Sequence, residues 1–181
     1  QRFSAVGEKA LAYDRSLFAP REGNWRDVRE GLRPGETEAQ SENFVVAWCH
    51  GAPGIGLSRA LMKRQGLAPS GGDVDEEILT AAATTRTEGF GRNHSLCHGD
   101  FGNLDCMRVM AAALDKPDLS DAVDRIAAGV LKSIGKVGWR TGFAPQVQPL
   151  GMMSGVAGIG YGLLRCADPE TPSILALEPP R

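Results

Sequence analysis

Apolar residues recur at helical spacing along most of this chain. Phe3 to Phe18 is amphipathic in this sense. Asp73 to Thr87 opens with Asp73 and Glu76 at the spacing of a capping box, then runs through Ile78, Leu79 and Ala81 to Ala83. In Ser120 to Ile134, the positions Val123, Ile126, Ala127, Val130 and Leu131 share one helical face. Alternation with a period of two is confined to short runs such as Phe44 to Ala47 and Ile174 to Leu177. The pattern predicts an all-α chain, with helices over residues 3–18, 54–65, 73–88, 101–114, 120–134 and 155–166.

Three of these helices begin in the same way. CHGAPGIGLSRAL starts at Cys49, CHGDFGNLDCMRV at Cys97 and MSGVAGIGYGLLR at Met153. Each carries glycine at its third and sixth places: Gly51 and Gly54, Gly99 and Gly102, Gly155 and Gly158. Successive copies start 48 and 56 residues apart, the scale of a repeating pair of helices. Residues without a Cβ let backbones approach closely, so glycine-headed helices suit an inner set whose N-terminal ends crowd one axis. The capped amphipathic helices between them form the outer set. Two long connections, Pro20 to Gln40 and Gly135 to Gly151, are expected as surface excursions.

Composition narrows the function classes. The 181 residues suit one domain, and 42% hydrophobic content is enough for a core. Twenty Lys and Arg against 22 Asp and Glu, with no basic stripe interleaved with aromatics, speak against nucleic acid. Neither a membrane-spanning run nor a signal segment is apparent. A start at Gln1, in what already reads as helix, is the start expected of a piece of a longer chain. Without a secretory signal, the four cysteines point to thiols or metal instead of a disulfide framework.

Candidate chemistry follows from the repeat. Cys49 and Cys97 hold the same place in successive copies, and His98 follows Cys97. Equivalent places in neighbouring repeats lie near one another, which offers two thiolates and an imidazole for zinc. Adjacent residues on a regular helix diverge by about 100°, so Cys97 and His98 can share an ion only in an irregular turn. Gly99 and Gly102 predict one. His50 also follows a cysteine and is an alternative ligand, with a wall or supporting role favoured. His94 is expected on a loop surface, and Cys106 and Cys166 in the core. Three protein ligands would leave a coordination position open, as catalytic zinc sites do. GAPGIG and GVAGIGYG lack the Gly-Lys-Ser/Thr ending and the flanking strand and acid of nucleotide loops. Trp48 is expected to pack. Asn24 and Trp25 either order a long loop or provide a simple apolar anchor.

WCHGAPGIGLSR (Trp48 to Arg59), LCHGDFGNLD (Leu96 to Asp105) and GMMSGVAGIGYGLLR (Gly151 to Arg165) resemble the motifs of LanC-type lanthionine cyclases. GNWRDVR (Gly23 to Arg29) and SILALEPP (Ser173 to Pro180) resemble the C-terminal part of bifunctional class II synthetases of the LanM type. The resemblance extends over essentially residues 1–181 and implies the C-terminal portion of an α/α toroid, a double-layered helical barrel. It implies a Zn2+ ion held by Cys49, Cys97 and His98, and lanthionine or methyllanthionine synthesis. In that reaction cysteine thiolates of a precursor peptide add to dehydroalanine or dehydrobutyrine. The implied substrate is a dehydrated lanthipeptide precursor, the implied compartment the cytoplasm. A dehydratase domain and the family's acid/base His and Asp are implied upstream of Gln1. Two other readings compete: a stand-alone LanC-like protein that adds glutathione to dehydrated residues, and a non-catalytic helical-repeat module with a structural zinc. Glycosidases built on α/α toroids are disfavoured for want of a matched acidic pair.

Overall fold

The computed structural model describes residues 2–28, 43–67 and 72–179. Six helices make up the fold: α1 (Arg2–Ser16), α2 (Ala52–Arg64), α3 (Val74–Glu88), α4 (Asp100–Leu114), α5 (Pro117–Val137) and α6 (Val156–Ala167). The only paired strands among the described residues are two-residue pieces, β1 (Phe18–Ala19) and β2 (Asn24–Trp25). The chain is all-α, as its periodicity predicts.

Helix α4 is the centre of the packing. Every residue from Asp100 to Met107 is buried, as are Val109, Met110 and Ala111. Helix α2 lies against α3 and α4, and α4 also packs on α5 and α6. The glycine-headed helices α2, α4 and α6 thus form one set, with α3 and α5 covering it. Phe101, Leu104 and Met107 of α4 are almost wholly buried, and each such side chain contributes about 1.5–3 kcal/mol by leaving water.

The capped helices start as their sequences dictate. The Asp73 carboxylate accepts hydrogen bonds from the backbone N–H groups of Asp75 (2.9 Å) and Glu76 (3.3 Å), satisfying donors that the first turn leaves free. Helix α5 begins three residues before the predicted Ser120, because Pro117 is pre-set for a first helical turn. Its buried residues Ala122, Val123, Ala127 and Val130 form the expected single face.

Four expectations change. Helix α1 stops at Ser16 and not at Phe18, because Phe18 pairs across a tight hairpin with Trp25, their ring centroids 4.8 Å apart. Phe44 and Ala47 make isolated bridges to Arg26 and His50, without a strand. Residues 174–177 form a turn. Of the long connection at 20–40, residues 29–40 lie outside the described residues. The connection after α5 is not purely a surface excursion, since Thr141 within it is buried.

The tail is tied to the helices by a buried polar cluster. Arg165 on α6 lies 2.6 Å from the Asp105 carboxylate on α4 and donates to the Thr171 carbonyl. The Ser173 hydroxyl donates to the same carboxylate at 2.6 Å. Glu178 accepts from the Ser173 amide at 2.8 Å and from Arg64 on α2 at 3.1 Å.

Candidate metal centre

The repeat observed in sequence is a repeat in space. A Cβ on Gly54, Gly102 or Gly158 would collide with the carbonyl oxygen six residues earlier, on Trp48, Leu96 or Met152 respectively. Each helix therefore starts by folding back on the turn that carries the first two repeat positions. In the second and third copies a backbone bond spans seven residues to close this fold: Asp100 N–H to Asn93 O (2.8 Å) and Val156 N–H to Pro149 O (2.9 Å). The first copy differs. There Asn24 inserts its side chain, accepting from the Ala52 N–H at 2.8 Å and donating to the Val45 carbonyl at 3.2 Å. Of the two roles considered for Asn24 and Trp25, both occur: Trp25 is a buried anchor and Asn24 orders the turn. No spacing rule exposes that role for Asn24, because its partners lie 21 and 28 residues away.

Main-chain bonds join the repeats at their first position. The Cys49 N–H donates to the Cys97 carbonyl at 3.2 Å, and the Cys97 N–H donates to the Met153 carbonyl at 2.7 Å. Cys49 sits at the tip of a turn closed by reciprocal bonds between Ala47 and His50 (3.0 and 3.1 Å). Its side is exposed, whereas Cys97 is half-buried. Beside Cys49 opens a cleft of about 440 Å³, walled by Trp25, Trp48, His50 and Ile55 among others. The His50 ring nitrogen Nε2 lies 3.3 Å from the Arg26 carbonyl and 3.7 Å from the buried Asp27 carboxylate. His50 is thus a wall of this cleft, fixed from behind.

His98 is held more firmly. Its Nε2 lies 3.1 Å from the Gly142 carbonyl. A carbonyl only accepts, so Nε2 carries the proton and Nδ1 keeps its lone pair. Ligating histidines are ordinarily fixed in this manner, one nitrogen donating to a carbonyl while the other binds the ion. A Cβ on Gly142 would lie 2.5 Å from Nε2, so the ring occupies space that only glycine leaves. Among the described residues, however, no three His, Cys, Asp or Glu side chains are gathered into a metal-ligating group. What the fold brings together is the main chain of Cys49 and Cys97. His98 is the next residue, with its ring turned to Gly142. The donor set, two thiols and an imidazole with a free Nδ1, suits zinc.

His94 departs from its expected surface position. It is wholly buried, accepting at Nδ1 from the Arg140 N–H (2.8 Å), while its own N–H donates to the Arg140 carbonyl (2.8 Å). Its contact partner lies 46 residues onward, so local polarity gives no sign of its burial. Burial, and next the Arg140 charge, lower its pKa from 6.5. Cys106 is in the core as expected, its thiol pKa pushed well up by burial, while Cys166 is half-buried against Arg108.

Comparison with known proteins agrees with this architecture. No described helix is long and apolar enough to cross a membrane. Residues 1–178 match the family described as lanthionine synthetase C-like protein. A curated relative, the lacticin 481/lactococcin biosynthesis protein LcnDR2 of Lactococcus lactis subsp. lactis, is 26% identical over 146 residues. The match takes in 74% of this chain and 16% of that relative's length. With the family match running nearly end to end over the three glycine-headed repeats, the chain belongs to the lanthionine synthetase C-like family.

Proposed function

We propose that this chain is the C-terminal portion of a cyclase domain in a lanthipeptide synthetase, and that it takes part in zinc-dependent thioether ring formation. The observation that carries the reading is the hydrogen bond from the Cys49 N–H to the Cys97 carbonyl, which joins the same position of two repeats at two helix starts. The free Nδ1 of His98, one residue on, supplies the third donor. Family membership and the relative's role in lacticin 481/lactococcin biosynthesis support the same reading.

Bound by Cys49, Cys97 and His98, zinc would supply the Lewis acidity that keeps an incoming thiol ionised near neutral pH. Three protein donors leave the fourth position to substrate. The third repeat offers only the thioether of Met153 at the matching place, so the repeat supplies no third thiolate. The substrate is a precursor-peptide cysteine together with a dehydroalanine or dehydrobutyrine of the same peptide. A sulfur–carbon bond forms at the β-carbon while the double-bond pair moves toward the α-carbon, which takes up a proton. Trp25, Trp48 and Ile55 give the cleft beside Cys49 apolar walls against which a peptide would lie. Asp27 and the Arg26 carbonyl keep His50 in its place along that wall. A dehydratase region elsewhere in the parent synthetase would make the dehydrated residues.

Replacing Cys97 with Ala in the full-length synthetase tests the proposal. Mass spectrometry after thiol alkylation should find dehydrated precursor with alkylatable cysteines, because two remaining ligands cannot hold a well-formed tetrahedral site. Slow uncatalysed addition permits a few misplaced rings. Correctly patterned, fully cyclised peptide at the wild-type rate would remove Cys97 from the reaction centre.

A further inference from the structure

His98 is fixed from three directions. Its ring is held by the Gly142 carbonyl at 3.1 Å, its own carbonyl accepts from Asn93 at 3.3 Å, and its N–H lies 3.4 Å from the Ser95 hydroxyl. Asn93 and Ser95 belong to the same turn as His98, but Gly142 arrives from the connection after α5. The ring orientation of His98 therefore depends on what fixes residues 140–142. Two contacts do so. Gly142 N–H donates to the Ser154 carbonyl at 2.9 Å, beside the first position of the third repeat. At the other end Arg140 forms the reciprocal pair with His94: N–H to Nδ1 at 2.8 Å, carbonyl to N–H at 2.8 Å. The Arg140 side chain adds a bond to the Gly91 carbonyl at 3.1 Å.

His94 is an odd choice for a purely packing role. It is completely buried, and its Nε2 has no hydrogen-bond partner among the described residues. The nearest acid is the Asp100 carboxylate, 4.0 Å away. That carboxylate is engaged by the Gly91 N–H at 2.8 Å. A buried donor without a partner costs stability, which an apolar side chain of the same shape would avoid. What an apolar residue cannot do is accept the Arg140 N–H.

We infer that His94 is a positioning residue for the metal ligand His98. Its Nδ1 seats Arg140, which sets the Gly142 carbonyl against His98 Nε2 and so leaves Nδ1 of His98 as the nitrogen that would hold an ion. The inference rests on the zinc reading above. It adds a second imidazole, one that neither binds metal nor meets substrate, to the apparatus of the centre. Partners that hydrogen-bond a ligating histidine directly, as Gly142 does, change metal affinity about ten- to a hundredfold when lost; His94 acts a step behind Gly142, through Arg140.

The test uses the full-length protein, with zinc affinity measured by competition against a chromophoric chelator and cobalt(II) absorption as a second readout. His94→Phe keeps a ring but removes the acceptor; His94→Asn keeps an acceptor, since its amide oxygen can stand where Nδ1 stands. His94→Phe should lose about tenfold in zinc affinity, the low end of the loss expected for a direct partner, and alter the cobalt ligand-field bands, while thiolate-to-cobalt charge transfer persists. His94→Asn should restore the affinity to within about threefold of wild type and return the spectrum. A folded His94→Phe protein with wild-type affinity and spectrum overturns the inference. So does equal loss in both variants, which would mark a packing role. Should His94→Phe fail to fold, His94→Gln decides. It retains an acceptor one methylene further out, and unaltered cobalt bands in it would overturn the inference, whereas shifted bands support it. Failure of the wild-type protein to bind either metal would instead remove the zinc reading, and the inference with it.

Discussion

A methyl group added at Gly142 would stand 2.5 Å from Nε2 of His98 and 3.2 Å from the Ser154 side chain. The imidazole would have to turn away from the carbonyl that fixes it. Gly142→Ala is therefore expected to weaken zinc binding about ten- to a hundredfold, read by chelator competition. Undiminished affinity would show that His98 needs no such support. Acid should act on a neighbouring residue. The Arg140 N–H points at Nδ1 of His94, so the folded protein favours a neutral ring, and its pKa lies below 6.5 through burial and the Arg140 charge. The unfolded chain takes up that proton near pH 6.5 and the folded chain resists it. This contribution is thus complete above about pH 6.5 and is lost as pH falls from there toward the lower folded value, at up to about 1.4 kcal/mol per pH unit. Asp100, opposite Nε2, is raised from 3.8 by burial. Its contribution has the opposite sense: present below about pH 3.8 and lost as pH rises through its folded value. Urea unfolding at pH 7 and pH 6 should show a fall in wild-type stability that His94→Leu lacks. Cys49, Cys97 and His98 could be singled out as candidates in the sequence because the repeat register marks them. His94 and Asn24 could not, since each acts on main chain far along the sequence and neither contact leaves a periodic trace.

Two glycines inside helices make opposite demands. Gly158, in α6, has no room for a Cβ beneath the Met152 carbonyl, whereas Gly129, on the exposed side of α5, has nothing within 4 Å. Gly129→Ala should raise stability by about 0.5–1 kcal/mol through helix propensity. Gly158→Ala should lower it by more than that, because the collision is with backbone. Thermal melts of the two variants check the pair, and similar shifts would contradict the fold-back reading of the repeat. Helices α1, α2 and α3 meet at Glu77, whose carboxylate lies 2.7 Å from both the Arg15 and the Arg59 guanidinium groups. Arg59 is 1% exposed, so Glu77→Ala leaves a buried cation with only the distant Asp14 carboxylate at 3.4 Å. A loss of about 3 kcal/mol is expected, and Arg59→Met should cost less because it removes the buried cation while Glu77 keeps the Arg15 guanidinium. Denaturant midpoints of both variants measure the contrast. The middles of all six helices were legible from periodicity, their ends less so. The α1 boundary was decided by the Phe18–Trp25 pairing, which periodicity does not record. α5 started early because proline suits a first turn.

At the scale of the whole molecule, the tail fastens three helices together. Asp105, Arg165 and Ser173 join α4, α6 and the tail, and Glu178 extends the tie to Arg64 of α2. Asp105→Ala would strand the Arg165 guanidinium, which is 6% exposed, and should cost about 3–5 kcal/mol, seen as a lower urea midpoint. An unchanged midpoint would mean that the tail contributes nothing to the fold. The all-α class and its two sets of helices could be read from the alternation of glycine heads and capped faces. The tail's role could not, because charged residues in a polar segment give no hint of burial. At the helix starts, the bonds that run from Cys49 to Cys97 and from Cys97 to Met153 both point the same way, amide to carbonyl. Such a contact is heterologous: each member uses one surface to give and a different one to receive. A chain of heterologous contacts has no built-in last member. A further copy would have to offer a carbonyl to the Met153 amide or an amide to the Cys49 carbonyl, and with a constant turn per step the series ends only by meeting itself. Handed polarity in two hydrogen bonds thus leaves the choice between closure and continued stacking to the turn per step, and makes the number of copies a matter of angle instead of affinity.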